Sequence, residues 1–117
     1  MRSFAFAFNG IRSCFTTEQN FRIHTLLAVA VLALAIIFNI SAYEWIATAL
    51  SIAFVIVMEM MNTAIEKLCD VVHRDLHPAI KKIKDITAGA VLIAALSALA
   101  TGLVIFLPKI ITHFKPI

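Results

Sequence analysis

Three long apolar runs limit what this chain can fold into. Residues 26–40 and 86–107 carry no charged side chain, and a further apolar run begins near Trp45. As a helix, the run 86–107 is long enough to cross about 30 Å of hydrocarbon. The run 26–40 is short, about 22 Å at 1.5 Å per residue, and needs His24 and Thr25 as part of its length. Hydrophobic residues make up 62% of the 117 residues and charged residues 15%, which is too apolar for an ordinary soluble domain. The sequence therefore predicts one all-α membrane domain over residues 1–117, with spans at about residues 25–40, 45–70 and 86–107.

A short helix with an aromatic face precedes the first span. Four apolar side chains fall within about 60° of one another on a helical wheel: Phe4, Phe8, Ile11 and Phe15. Arg2 and Arg12 face away from them. The pattern predicts an amphipathic helix over about residues 3–16 that lies in the membrane interface. Packing of this helix on a soluble partner is the alternative.

Several residues at the element boundaries suggest where helices begin and end. Thr17 is predicted to cap the helix of the first span, because a threonine hydroxyl satisfies exposed backbone donors there. His24 is interpreted as a polar residue at the membrane interface rather than as a catalytic group. Pro78 suits the first turn of the helix that leads into the third span. Pro108 is expected to end that helix.

The second span runs without a break into a stripe of acidic side chains. At about 100° per residue, four polar groups line one narrow face of this helix: Glu59, Asn62, Glu66 and Asp70. Ionisable side chains near hydrocarbon depth are costly and indicate a functional site. Like charges on one face repel one another, and a divalent cation is the simplest group that reconciles them. A solvated face outside the membrane, or a cluster of protonated acids, is the alternative.

The distribution of basic residues predicts the orientation. Eight of the ten lysines and arginines lie in the N-terminal segment and around the connector that precedes the third span. By the positive-inside rule, the N-terminus and the acidic stripe are expected in the cytoplasm and the C-terminus outside. This orientation would place the carboxylates on the side of the membrane where ATP is found.

The residue types at this end suit phosphoryl transfer. Carboxylates that hold Mg²⁺ and lysines that meet phosphate oxygens are its usual parts. The three glycines are isolated, so there is no Gly-rich phosphate loop. The four histidines and two cysteines do not fall at zinc-ligand spacing. The basic connector is short and adjoins the membrane, so lipid head groups or nucleotide phosphates are expected partners rather than nucleic acid.

Two motifs in the second half of the chain identify a family. E-x-x-N-[ST]-A-I-E-x-x-x-D stands at residues 59–70, and H-P-x-x-K-x-x-K-D-x-x-A-G-A-V-L at residues 77–92. With F-A-F-A-F-N-G-I and T-E-Q-N-F-R-I-H nearer the N-terminus, they resemble the prokaryotic diacylglycerol kinase family over nearly the whole chain. The resemblance implies a homotrimeric three-span enzyme of the bacterial cytoplasmic membrane. It also implies transfer of the γ-phosphoryl group of MgATP to the hydroxyl of diacylglycerol or undecaprenol.

The resemblance also assigns roles to individual residues. It implies that Glu59 is the general base and that Asn62 lies close to the transferred phosphoryl group. It implies that Glu18 and Glu66 hold the Mg²⁺ that bridges the ATP phosphates. Four further residues are expected to contact the nucleotide: Asp75, His77, Lys84 and Asp85. Phe6 stands where relatives often have tyrosine, so the resemblance implies no hydroxyl contact with nucleotide from that position.

The lipid substrate, the class of protein and the assembly have alternatives. The H-P-x-x-K connector and the Leu-Pro-Lys-Ile ending resemble the undecaprenol kinase branch, which favours undecaprenol over diacylglycerol. A non-enzymatic membrane protein that binds ions would also explain intramembrane carboxylates. Small residues recur every four positions in the third span and invite close helix packing, in agreement with a trimer: Ala90, Ala94, Ala98 and Gly102. Each site is formed either within one chain or between two.

Overall fold

The computed structural model describes residues 2–72 and 77–114, which form four α-helices. They are α1 (Arg2–Thr17), α2 (Gln19–Ile37), α3 (Ala42–Val72) and α4 (Pro78–Phe114). α2 and α3 form a hairpin, and α4 packs along α3 more extensively than any other pair of helices. α1 contacts both α2 and α3. The predicted all-helical architecture is confirmed.

The chain bends between α1 and α2 at a single residue, Glu18. Its backbone is extended (φ −111°, ψ 113°), while its N–H donates to the Cys14 carbonyl at 2.9 Å. The Arg22 guanidinium donates to the carbonyls of Phe15 and Thr16 at 3.0 and 3.1 Å, which satisfies acceptors that the end of α1 leaves open. These hydrogen bonds fix the position of Glu18 at the junction of the two helices.

The predicted cap at Thr17 is wrong. Thr17 is the last residue of α1, and its hydroxyl donates to the Ser13 carbonyl at 2.7 Å. The residue that precedes α2 is Glu18, which makes no side-chain capping hydrogen bond. A threonine hydroxyl can bond a carbonyl four residues back inside a helix, and here that bond replaces capping.

The turn between α2 and α3 is closed by capping bonds on both sides. Asn39 adopts a left-handed conformation (φ 51°), Asn39 N–H donates to Ile36 and Ile40 N–H donates to Ala35. This is the Schellman pattern of helix ends. Ser41 and Glu44 then form a capping box, in which each side chain accepts a hydrogen bond from the other residue's N–H, at 3.2 and 2.9 Å.

The best-packed part of the core lies beside this turn. Ala35, Ile40, Ile105 and Phe106 are buried together, with Trp45 packed against them. The Lys109 ammonium also pairs with the Glu44 carboxylate at 2.7 Å, which ties α4 to the start of α3.

The prediction that Pro108 ends the last helix is wrong, because α4 continues through it to Phe114. A proline costs a membrane helix one backbone hydrogen bond, which neighbouring groups and local adjustment can offset. The contacts of Phe106 and Lys109 on either side of Pro108 anchor the helix where the proline would otherwise interrupt it.

α2, α3 and α4 are each long and apolar enough to cross a membrane, which makes them three candidate spans. Many of their large apolar side chains are exposed in the single chain, among them Leu26, Leu50 and Val104. Apolar surface of this extent is unfavourable in water. These faces therefore suit lipid tails or the helices of other protein chains.

The left-handed backbone at Asn39 predicts how the turn responds to substitution. Asn39→Val should destabilise the folded protein by about 1–2 kcal/mol, because a β-branched residue is strained at positive φ. Asn39→Gly should leave stability unchanged or slightly raised. The measurement is the midpoint of denaturation in detergent, with Asn20→Val at the beginning of α2 as a control. Equal midpoints for the Val and Gly variants would contradict the assigned turn.

Candidate functional site

One face of α3 is buried and includes a carboxylate. Thr48, Val55, Glu59 and Thr63 follow one another at intervals of seven, four and four residues, so they share one side of the helix. Glu59 is only 4% exposed. A charged carboxylate in such a place needs a compensating partner, because burial removes its hydration.

α2 supplies that partner. His24 Nε2 lies 3.1 Å from Glu59 Oε1, an ion-pair distance, and the His24 side chain is 25% exposed. His24 comes one helical turn after Phe21, which is 3% exposed, so the same face of α2 that packs inward also presents the imidazole. The sequence-based interpretation of His24 as a residue with only an interfacial role missed this pairing.

Two more carboxylates lie close to this pair. The charges of Glu66 and Glu18 both act on Glu59. Asn62 Nδ2 donates to Glu66 Oε1 at 3.5 Å, and Lys67 Nζ lies 3.8 Å from Glu18 Oε1. The structure thus brings the predicted Glu18, Glu59, Asn62 and Glu66 together at one end of α3, which we call the acidic end.

The predicted nucleotide-binding residues are only partly gathered there. Lys84 Nζ is paired with Asp70 Oδ1 at 2.9 Å and is close enough to Glu66 to be affected by its charge. Asp85 instead pairs with Lys81 one turn back, at 2.7 Å. His77 Nδ1 accepts a hydrogen bond from Ala79 N–H at 3.1 Å, at the start of α4.

The chemistry of the acidic end suits an oxygen-preferring cation bound together with phosphate. Asn62 Oδ1 is buried and has no hydrogen-bond partner among the residues that the structure describes. Within the same residues, no group of three or more His, Cys, Asp or Glu side chains is arranged as a metal cage. Mg²⁺ does not need such a cage, because it typically takes one or two carboxylates, water and substrate phosphates. Glu18 and Glu66 are carboxylates at the acidic end that could hold such an ion. Asp75, predicted to contact the nucleotide, lies outside the described residues.

Apolar cavities adjoin this end. One of about 730 Å³ lies between α1, α2 and α3 and is lined by Phe15, Phe21 and Ile56, among others. A second of about 310 Å³ between α2, α3 and α4 includes His24 in its wall. The walls are almost entirely hydrocarbon, so these spaces suit the tail of a lipid.

Cys14 and Cys69 are both buried free thiols. Burial, and then the charge of Glu18, raise the pKa of the Cys14 thiol, whereas the charge of Lys67 lowers it. Cys14 therefore responds to the same charged pair that borders the acidic end.

Comparison with known proteins places this arrangement in context. The model of the family described as "Prokaryotic diacylglycerol kinase" matches residues 5–106. The chain belongs to the prokaryotic diacylglycerol kinase family. An undecaprenol kinase from Bacillus subtilis is 39% identical over 93% of this chain and 89% of its own length. A diacylglycerol kinase from Synechocystis is 38% identical over 94% of this chain, which spans 63% of that protein's length.

The diacylglycerol kinase family is one of lipid kinases, which are phosphotransferases, so membership favours an enzyme over the non-enzymatic ion-binding alternative. A third member, the diacylglycerol kinase of Escherichia coli K12, is 25% identical over 86% of this chain. A diacylglycerol kinase and an undecaprenol kinase match this chain at 38% and 39% identity, so sequence identity does not distinguish the two lipids.

Sequence reasoning missed two contributors to the acidic end of this family member. His24 and Lys67 each lie at ion-pair distance from a predicted site residue. The partner of Asp70, a predicted member of the acidic stripe, was missed as well, and it is Lys84. The inward-facing position of His24, one turn after Phe21, was a signal available in the sequence. Nothing local indicates which side chain each one meets, because those contacts depend on how the helices pack.

The raised pKa of Cys14 predicts slow alkylation. Since the thiolate is the reactive form, native Cys14 should react with a small maleimide more slowly at pH 8 than in the unfolded chain. Glu18→Gln removes a charge that raises the pKa and should speed the reaction by about two- to tenfold, the upper figure corresponding to one pKa unit. Lys67→Gln should slow it.

Mass spectrometry of the Cys14 peptide gives these rates separately from Cys69. Unfolded samples of each variant serve as the control for intrinsic reactivity. Identical native rates in all three proteins would contradict the placement of Glu18 and Lys67 beside Cys14.

Proposed function

We propose that this protein is an ATP- and Mg²⁺-dependent lipid kinase that phosphorylates undecaprenol to undecaprenyl phosphate. The observation that supports the proposal most directly is the buried Glu59 carboxylate, grouped with Glu18, Asn62 and Glu66 beside apolar cavities. The similarity to the Bacillus subtilis undecaprenol kinase, which extends over most of both chains, supports the lipid. Diacylglycerol, converted to phosphatidic acid, is the alternative, supported by the Synechocystis relative.

Glu59 acts as the general base in this proposal. The lipid tail occupies the cavity beside α1 and places its hydroxyl near the Glu59 carboxylate. The hydroxyl oxygen forms a bond to the γ-phosphorus while its proton passes to Glu59, and the bond to the β-phosphate oxygen breaks to release ADP. The amide of Asn62 lies close to the transferred group. A base at the polar edge of an apolar cavity suits a lipid, because the hydroxyl meets the polar base while the tail stays in the apolar cavity.

Glu18 and Glu66 hold the Mg²⁺ in this proposal. When bound, the ion would neutralise phosphate charge that builds up during transfer. Lys84 leaves Asp70 and binds the phosphates instead. Asp75, His77 and Asp85 contact the rest of the nucleotide. The exposed position of the Lys84–Asp70 pair suits such an exchange, because a solvated ion pair is weak.

The proposal also includes the membrane and the assembly. The chain lies in the bacterial cytoplasmic membrane with its N-terminus and acidic end in the cytoplasm, as the lysine and arginine distribution predicts. α1 lies along the membrane interface as an amphipathic helix, with Phe4 and Phe8, which are exposed in the single chain, in contact with lipid. The assembly is a homotrimer in this proposal, in which part of the exposed apolar faces of α2, α3 and α4 contacts the other copies and the rest contacts lipid.

The experiment that tests the function is an assay of the purified protein with MgATP and each lipid in turn. Undecaprenol should be phosphorylated with a higher kcat/KM than diacylglycerol. Glu59→Gln should lower kcat by at least about a hundredfold, because the base is lost while the shape is kept. The product is followed by thin-layer chromatography of labelled lipid.

Glu44→Gln is the matched control, since it makes the same chemical change at the opposite end of α3. It should retain activity, and both variants should migrate as the wild-type assembly. Wild-type turnover by the Glu59 variant would reject this residue as the base, and a preference for diacylglycerol would reject the proposed lipid.

Loss of either proposed metal ligand should change the requirement for Mg²⁺. Glu18→Gln and Glu66→Gln should each raise the Mg²⁺ concentration for half-maximal activity by about tenfold or more, since even outer-shell partners of a metal are worth that much. The measurement is initial rate against free Mg²⁺ at fixed ATP. Asp85→Asn, next to the nucleotide but away from the metal, should leave this concentration unchanged, so an equal rise in all three variants would contradict the assignment.

A further inference from the structure

Among the residues that the structure describes, one basic side chain lies at ion-pair distance from Glu59. Over residues 2–72 and 77–114, only His24 forms an ion pair with this carboxylate, at 3.1 Å from Nε2 to Oε1. The contact links α2 to α3 at a point where the Glu59 side chain is 5% exposed and the His24 side chain 25% exposed. The carboxylate is therefore held on one of its two oxygens.

The other charges near Glu59 are unfavourable to its ionised form. Glu66 on the same helix and Glu18 at the start of α2 both carry negative charge that acts on it. Lys67 is paired with Glu18 rather than with Glu59. Since a buried anion among like charges needs compensation, His24 is the described group placed to provide it.

The backbone fixes where His24 can reach. Glu18 interrupts the helical backbone between α1 and α2. The Arg22 guanidinium ties the first turns of α2 to the end of α1. The Thr25 hydroxyl donates to the Phe21 carbonyl at 2.8 Å within the same turns. His24 thus stands on a helix start that Arg22 ties to the end of α1, which suits a side chain that must hold another in place.

We propose that His24 is a positioning residue that holds Oε1 of Glu59 and keeps the carboxylate ionised, leaving Oε2 to receive the proton of the lipid hydroxyl. The inference rests on the proposed function. In the reaction the hydroxyl proton moves to Oε2 as the hydroxyl oxygen bonds to the γ-phosphorus and ADP leaves. His24 takes no part in bond making, and its contribution is to the orientation and charge of the base.

The test compares His24→Leu, which removes the polar contact, with His24→Gln, whose side-chain amide can still donate near the position of Nε2. The leucine variant should lose about 10- to 100-fold in kcat with little change in KM for ATP or lipid, as expected when one partner of a charged pair is removed. As the pH is lowered, the leucine variant should lose activity at a higher pH than the wild type, because Glu59 is protonated more easily without His24. The glutamine variant should recover part of kcat.

His113→Leu is the matched control, because it makes the same change at the other end of the bundle, where His113 packs against Phe38 and Phe114. It should keep the wild-type kcat and pH profile. Wild-type kcat and pH profile in His24→Leu would overturn the inference. So would a loss of kcat that merely follows a loss of folded protein, measured by denaturation midpoint, or one that His24→Gln does not relieve.

The same experiment separates the inference from the function on which it rests. A wild-type protein that phosphorylates neither lipid would remove the proposed function itself. An active wild-type protein with an unaffected His24→Leu variant would remove only the role of His24.

Discussion

The pairing of a buried carboxylate with a histidine is the interaction on which the acidic end depends. Glu59 lies on the inward face of α3 with Thr48, Val55 and Thr63, where an unpaired charge would be costly. His24 meets it from α2 at 3.1 Å. The contact requires α2 and α3 to be packed in this register, so the position of Glu59 and the helix hairpin are specified together. Glu18 and Glu66 then lie close enough to affect the same carboxylate.

The two ends of the bundle are built differently. At the turn between α2 and α3, Asn39 and Ser41 close both helix ends, and a buried cluster around Ala35 and Phe106 packs α4 against them. At the acidic end the contacts are ion pairs of varied exposure, and apolar cavities separate the helices. A well-packed end can hold the helices in register while the other end leaves apolar cavities between them. Lys84 illustrates the difference, because its pairing with Asp70 is exposed whereas Lys109 is half-buried against Glu44.

Much of this arrangement could be predicted from the sequence because membranes impose simple rules. Apolar length identified three spans, and helical spacing placed Glu59, Asn62 and Glu66 on one face. The motif around Glu59 identified the family. Two predictions about helix ends were wrong. The Thr17 hydroxyl bonds back into α1 instead of capping α2, and α4 continues through Pro108. The pairs His24–Glu59 and Lys84–Asp70 escaped prediction for another reason, since they join separate helices and depend on packing.

The contact between His24 and Glu59 can be measured directly in membranes. Solid-state NMR on protein labelled with ¹⁵N in the His24 ring and ¹³C in the Glu side chains reports their dipolar coupling, with the Glu59 signal identified by its loss in Glu59→Gln. The structure predicts strong dephasing of the Glu59 carboxylate and none of Glu44, which lies at the other end of α3. Absence of dephasing at Glu59 in folded, membrane-embedded protein would contradict the account.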